Sequence, residues 1–107
     1  MKKACVNAVV LLCLSASCFA DVNCKDPQTQ LEMNQCAAEE FDAADKELNA
    51  LYSSYRKSLD SKSKAALKEA QSAWIKFRDL DCAFETIGSL GGSMHNMIFS
   101  RCLIEKT

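Results

Sequence analysis

Cysteines are the residues of this chain whose chemistry is most readily inferred. Three of the seven fall within the first twenty residues. The other four are Cys24, Cys36, Cys82 and Cys102. If the chain is exported, an even number of cysteines in so small a protein predicts a disulfide framework, here of two bridges. The four are not spaced as a C-x₂₋₄-C pair and no C-x-x-C-H sequence is present, so we expect no zinc, haem or other cofactor.

The pairing of these cysteines depends on where the predicted helices place them. Cys36 lies about as far before a turn near residue 60 as Cys82 lies after it. Because each helical residue advances the axis by roughly 1.5 Å, the two should sit at similar heights on neighbouring helices. This favours Cys36–Cys82, with Cys24–Cys102 joining the tails. The alternative is two local bridges, Cys24–Cys36 and Cys82–Cys102.

The first twenty residues are typical of a secretory signal peptide. Lys2 and Lys3 precede an apolar core at 9–14, and Cys18-Phe19-Ala20 supplies small residues at the −3 and −1 positions before a predicted cut after Ala20. The apolar run is too short for a permanent membrane span. We therefore expect residues 21–107 to form a single domain, periplasmic or secreted. Lipidation at Cys18 is a less favoured alternative, since Ser15 occupies the position where a lipoprotein signal has leucine.

Two long amphipathic helices are predicted, over Gln28–Leu59 and Lys62–Phe84, followed by a short third helix over Met94–Ile104. Apolar residues recur in steps of three and four in both long segments. The short polar break between them predicts an antiparallel hairpin in an all-α, disulfide-stabilised small bundle. The apolar positions are Ala37, Phe41, Ala44, Leu48, Leu51, Tyr55 and Leu59 in the first helix, and Leu67, Ala70, Trp74, Phe77 and Phe84 in the second, broadened by Ala66, Ala73 and Leu80.

The starts of the two long helices carry residues suited to capping. Asp26 is a plausible N-cap for the first helix, with Pro27 at its start. Ser61 or Ser63 could cap the second.

Polar residues lie on or beside the inward faces of the predicted hairpin. Asp45 and Arg78 match in height and could form an ion pair between the helices. Asn49 and Gln71 match as well and could bond through their amides, and Trp74 nearby needs a partner for its indole N–H if it is buried. Groups of this kind can fix the register of two helices, which is the role expected for this seam.

A catalytic interpretation of the seam is much weaker. Asp45, Arg78 and Asp81 could be imagined as an acid–base set, but no partnered histidine or nucleophile elbow accompanies them. We therefore expect the protein not to be an enzyme.

A glycine-rich segment between the second and third helices is the other candidate site. It contains all three glycines of the chain and ends at the only histidine. Glycine frees the backbone from helical constraint, which predicts a loop. Gly91, Gly92, Ser93 and His95 could form a contact element at an exposed tip, whereas the simpler interpretation of His95 is an ordinary surface or helix-start residue.

Charge limits the class of partner. Residues 21–107 carry eleven Lys and Arg against fourteen Asp and Glu, a net charge of −3 with His95 neutral. A mildly acidic chain is a poor candidate for binding nucleic acid. It is compatible with a cationic protein partner.

The combined pattern resembles the LprI family of small exported bacterial proteins. The matching pieces are Cys24, the run Thr29–Ala37 containing Cys36, Asp45-x-x-Leu48-Asn49-x-x-Tyr52, Leu67-Lys68-x-Ala70-Gln71-x-Ala73-Trp74-Ile75-x-Phe77-Arg78-Asp79-x-x-Cys82, Gly91-Gly92-Ser93 and Cys102. The resemblance implies an all-helical, disulfide-bonded fold, and the family takes its name from a lysozyme inhibitor. One departure is that relatives usually continue past the final threonine into an arginine and more helix.

The resemblance therefore implies an exported protein that binds and inhibits a lysozyme-type peptidoglycan hydrolase. Two alternatives involve binding without that target. One is a structural or interaction module of the cell envelope, and the other is an immunity protein against a cell-wall-degrading toxin.

Overall fold

A computed structural model of the protein describes residues 21–107, and this part of the chain is all-α. The elements are α1 (Gln30–Lys57), α2 (Ser61–Glu85), a 3₁₀ turn (Ile87–Ser89) and α3 (His95–Lys106), with no strand among the described residues. The predicted fold class is confirmed. The expected signal peptide, residues 1–20, lies outside the described residues.

The first helix begins at a reciprocal capping box rather than at Asp26. The Glu32 N–H donates to Thr29 Oγ1 at 3.1 Å, and the Thr29 N–H donates to Glu32 Oε2 at 3.0 Å. Each of the two side chains accepts the backbone N–H of the other residue, so two N–H groups at the helix start gain acceptors. The prediction of Asp26 as the cap was therefore wrong, and α1 starts two residues later than expected.

The turn between the long helices is only three residues long and ends at Asp60. Its carboxylate accepts the Ser63 N–H at 2.8 Å and the Ser63 hydroxyl at 3.1 Å. The hydrogen bond from the Ser63 N–H, followed by that from its hydroxyl, lowers the pKa of Asp60 below its usual value. Asp60, and not Ser61 or Ser63, caps α2.

The buried core sits at the open end of the hairpin, where α3 packs against both long helices. Its buried members Cys82, Cys102 and Leu103 are joined by the partly buried rings of Phe41 and Phe99. Nearer the turn, Leu51 and Tyr55 of α1 remain exposed. The predicted apolar stripe is therefore buried most fully at the end where α3 lies on it.

The inward face of α2 differs from the predicted one. Arg78 and Cys82 are buried, whereas Phe77, Leu80 and Phe84 are exposed. The predicted stripe at Phe77, Leu80 and Phe84 therefore lies on a neighbouring face of the helix. The prediction was wrong for Phe77, Leu80 and Phe84, which it assigned to the core, whereas Arg78, expected in the polar seam, is buried.

The disulfides are local ones. Cys24 pairs with Cys36, with Cα atoms 5.4 Å apart, and Cys82 pairs with Cys102, with Cα atoms 5.7 Å apart. The favoured Cys36–Cys82 and Cys24–Cys102 pairing was wrong, and the alternative is the observed one. Cys82 faces α3 rather than α1, because the third helix occupies the open end of the hairpin.

Candidate functional site

Arg78 is the centre of the polar seam and is only 4% exposed. Its Nη1 lies 3.5 Å from Asp45 Oδ1, so the expected interhelical pair is present, and its Nε donates to Asp79 Oδ1 at 2.9 Å. Its guanidinium carbon lies 5.1 Å from the ring centre of Phe41 and 5.4 Å from that of Trp74. A guanidinium between two aromatic faces and two carboxylates is stabilised by cation–π contact as well as charge.

Arg78 also holds the end of α3. Its Nη1 donates to Thr107 Oγ1 at 3.2 Å, and the Thr107 hydroxyl donates in turn to the Leu103 carbonyl at 2.6 Å. One buried side chain thus contacts all three helices or their ends. This supports a structural role for the seam, in which Arg78 fixes the position of the helices.

The second expected contact of the seam is not formed. The Asn49 amide donates to Asp45 Oδ2 at 3.2 Å, within α1, and Asn49 is exposed. Gln71 has a buried Nε2 with no hydrogen-bond partner among the described residues. The predicted Asn49–Gln71 bond was wrong, because the exposed Asn49 donates instead to Asp45, one turn earlier on its own helix.

Asp81, considered with Asp45 and Arg78 as a possible acid–base set, belongs to a separate ion pair. Lys106 of α3 donates to Asp81 and, at 2.9 Å, to Glu85 Oε1. The hydrogen bond to Asp81, followed by that to Glu85, raises the pKa of Lys106 above its usual value. Asp45 therefore pairs with Arg78, whereas Asp81 of α2 pairs with Lys106 of α3.

The glycine-rich segment, residues 86–94, forms a folded tip between α2 and α3. Thr86 is buried and its hydroxyl donates to the Cys82 carbonyl at 2.7 Å. The Ser89 N–H donates to the Thr86 carbonyl, and the Gly92 N–H donates to the Ser89 carbonyl, each at 3.0 Å. Gly91 has φ +83°, a conformation that side chains with a Cβ rarely adopt. The tip is therefore a series of tight turns rather than a loose loop.

His95 and Ser93 are tied to the rest of the molecule at the base of the tip. His95 Nδ1 lies 2.9 Å from Ser89 Oγ, which also donates to the Thr86 carbonyl at 2.8 Å. The single hydrogen of the Ser89 hydroxyl is used in the bond to Thr86. The contact with His95 is therefore a hydrogen bond when His95 carries a proton on Nδ1 and donates it to Ser89 Oγ. The Ser93 carbonyl accepts the Asn34 amide of α1 at 2.9 Å. His95 supports the tip from inside, and Gly91, Gly92 and Ser93 are exposed.

The exposed side of the tip combines apolar side chains with free backbone donors. Leu90 and Met94 are 70% and 49% exposed. The N–H groups of Gly91, Ser93 and Met94 have no acceptor among residues 21–107. The start of α3 follows at once and has no side-chain cap, in contrast to α1 and α2. Unpaired N–H groups at a helix start favour an anionic partner.

A shallow groove of about 370 Å³ adjoins the tip between α1 and α3. Leu31 borders it and is exposed, as is Asn96, and Phe99 lies at its side. Sequence reasoning missed Leu31, Asn34, Leu90 and Met94. An available signal for Leu90 was an apolar residue placed among glycines, where no helix face could bury it.

The described residues offer no evident site for a metal and no membrane-spanning helix. Within residues 21–107, His, Cys, Asp and Glu side chains form no group of three or more that could hold a metal ion. None of the helices in that range is both long and apolar enough to cross a membrane.

These features define a class of protein: a small all-helical domain with two local disulfides, a rigid internal seam and a structured, partly apolar tip. Residues 22–107 match the family described as "Lysozyme inhibitor LprI", and the chain belongs to that family. It is also 33% identical to an uncharacterised protein of Rhizobium meliloti (strain 1021), over all of this chain and 88% of the relative. No solved structure matches it.

Proposed function

We propose that this protein is an exported, non-enzymatic inhibitor of a lysozyme-type peptidoglycan hydrolase. The observation that carries the proposal is membership of the LprI family across residues 22–107. The two disulfides support export, because such bonds persist in oxidising compartments. The net charge of −3 over residues 21–107 is compatible with a cationic partner.

The tip, residues 86–94, is the surface proposed to enter the hydrolase cleft. Hydrolases of this class place two carboxyl groups across a saccharide-binding cleft. The N–H groups of Gly91, Ser93 and Met94 and the uncapped start of α3 are donors suited to those carboxylates. The tip itself carries no charged side chain, so it brings no carboxylate of its own into the cleft.

Rigidity of the tip supports the same proposal. The turns from Thr86 to Gly92 are hydrogen-bonded, and Asn34 and His95 hold the base of the tip to α1 and to the 3₁₀ turn. A segment that is ordered before it binds avoids much of the entropic cost of binding. Leu90 and Met94 then offer apolar contact on either side of the donors.

A turbidity assay of lysozyme action on bacterial cell walls tests the proposal. The purified disulfide-bonded protein, in molar excess, should inhibit at least one lysozyme class. Full activity of all classes in a representative panel would contradict the proposed function.

A pair of matched variants then tests the location of the contact. Ser93→Trp places a bulky side chain on the tip, and Ser54→Trp places the same side chain at an exposed position of α1 near the hairpin turn. Inhibition should be lost in the first variant and kept in the second. Equal inhibition by the two variants would show that the hydrolase contacts a surface other than the tip.

A further inference from the structure

An apolar stripe on α2 faces solvent along most of the helix. It consists of Ala66, Ala70, Ala73, Phe77, Leu80 and Phe84, all exposed. The spacing alternates between four and three residues, which is the repeat of helices that pack along a shared seam. This seam is separate from the inward face that carries Arg78 and Cys82, and neither the fold nor the tip uses it.

The side-chain sizes along the stripe are arranged in two halves. The half near the hairpin turn has three alanines, and the half near the tip has Phe77, Leu80 and Phe84. When two such helices pair antiparallel, Phe84 of one copy lies opposite Ala66 of the other, Leu80 opposite Ala70, and Phe77 opposite Ala73. Each large side chain thus meets a small one, which is the volume match that close helix packing requires. The same surface of α2 forms the interface on both copies, which is the property of a two-fold symmetric dimer.

We infer that α2 pairs with α2 of a second copy of this chain through this stripe, in an antiparallel homodimer. The inference goes beyond the proposed inhibition and does not depend on it. The tip and the stripe meet only at the end of α2, so a dimer would hold two tips at opposite ends of the paired helices.

The exposed area is sufficient for a weak but specific dimer. Phe77, Leu80 and Phe84 are 65%, 61% and 74% exposed. At roughly 150–250 Å² for a phenylalanine side chain and less for leucine, the three present about 400 Å² of apolar surface per copy. With the alanines, pairing would bury about 1,000 Å² in total, close to the lower limit for specific interfaces. We therefore expect a dissociation constant in the micromolar range.

Sedimentation equilibrium of the disulfide-bonded protein, over micromolar concentrations, tests the dimer directly. The wild type should fit a monomer–dimer equilibrium, and Phe77→Glu should weaken the dimer about a hundredfold, because a charge would be buried near the two-fold axis. Leu51→Glu is the matched control, since Leu51 is 67% exposed and lies on α1. Circular dichroism should show unchanged helix content in both variants. A monomeric wild type, or equal effects of the two substitutions, would overturn the inference.

The antiparallel arrangement is tested by mixing two variants. Ala66→Glu and Phe84→Lys should each weaken self-association, because each places a charge against an apolar residue. Mixed together they should form a heterodimer, since Glu at 66 of one copy meets Lys at 84 of the other and the opposite end of the seam stays unchanged. A parallel dimer brings 66 beside 66, so failure of the mixture to associate would overturn the arrangement.

Inhibition measurements on the same variants distinguish a second copy of the chain from a hydrolase as the partner of the stripe. If the wild type is monomeric and Phe77→Glu abolishes inhibition of a hydrolase, the stripe binds that enzyme and the dimer is overturned. If the wild type dimerises while Phe77→Glu is monomeric and inhibits like the wild type, the dimer is supported and the two surfaces are independent. Loss of inhibition in Ser93→Trp without loss of the dimer separates the two proposals in the same way.

Discussion

Cys82 and Cys102 lie 5.7 Å apart at their Cα atoms, and their disulfide fastens α3 to the end of α2 that is farthest from the hairpin turn. One turn farther along α3, Lys106 contacts Asp81 and Glu85 of α2. Cys82 is fully buried and belongs to the core cluster with Leu103. The third helix is thus held covalently and electrostatically over the only well-buried part of the described domain.

Removal of the Cys82–Cys102 disulfide should destabilise the protein strongly. Replacing both cysteines by serine should lower the free energy of unfolding by about 3–4 kcal/mol, since the bridge spans twenty residues and its sulfurs are core atoms. Urea unfolding followed by circular dichroism measures this change.

The Cys24–Cys36 disulfide provides the comparison. It spans twelve residues, and Cys24 is exposed in the lead-in to α1. The double serine variant there should lose less stability, about 2 kcal/mol. Peptide mapping of the wild type should recover these two pairs. Recovery of Cys36–Cys82 would contradict the structure.

Arg78→Ala should be among the most damaging substitutions outside the disulfides. It leaves Asp45 without its cation, removes the stacking on Phe41 and Trp74, and frees Thr107. Because Asp45 and Asp79 are partly exposed, we expect a loss of about 2–3 kcal/mol rather than the larger cost of a fully buried pair.

Two variants separate the charge of Arg78 from its shape. Arg78→Lys keeps the charge but not the planar stacking, so about half of the loss should remain. Arg101→Ala removes an exposed arginine of α3 and should change the free energy of unfolding by less than about 0.5 kcal/mol. If Arg78→Ala behaved like Arg101→Ala in denaturant titrations, the seam would not hold the helices together.

Sequence patterns predicted the helices well because their signals are local. Apolar spacing and the polar break are both read within a few residues, and the three observed helices lie close to the predicted ranges even though the predicted caps were wrong. The pairing of Arg78 with Asp45 was predicted, but the depth at which Arg78 is buried and the exposure of Phe77, Leu80 and Phe84 were not. Arg78 is inside because Phe41, Trp74, Asp45 and Asp79 surround it, and those partners are assembled only by the fold.

The disulfide prediction was wrong and the loop prediction was confirmed, and both outcomes depend on how far apart in the sequence the contacting residues are. Height matching of Cys36 and Cys82 ignored the short third helix, which carries its own cysteine to α2. The glycines predicted a loop, and Gly91 does adopt a positive φ. What residue type alone did not reveal is that Asn34, 59 positions away from Ser93, anchors that loop.

Alkaline pH should weaken the attachment of α3. The hydrogen bonds to Asp81 and Glu85 raise the pKa of Lys106 above its ordinary 10.5. The folded state therefore binds this proton more tightly than the unfolded state does, so its contribution is complete below that ordinary value and is lost as pH rises through the raised pKa. The wild type should lose stability relative to Lys106→Met above about pH 10.5.

Urea titrations of both proteins at neutral and at strongly alkaline pH measure this difference. Subtracting the Lys106→Met curve removes the effect of the other lysines and the tyrosines. A difference that stays constant across the alkaline range would show that Lys106 contributes nothing through its charge.

Asn34→Ala should weaken hydrolase inhibition without unfolding the protein. The Asn34 amide donates to the Ser93 carbonyl at 2.9 Å and is the side-chain hydrogen bond from α1 to the tip. Without it the tip must be ordered on binding, and a cost of about 1.4 kcal/mol corresponds to a tenfold weaker inhibition constant. Asn49→Ala is the matched control, because Asn49 lies on the same helix, is exposed, and bonds only to Asp45. Inhibition constants from the turbidity assay should differ tenfold between the two variants while their helix content is the same. Equal constants would mean that the order of the tip does not matter to binding, and that the hydrolase contacts another face.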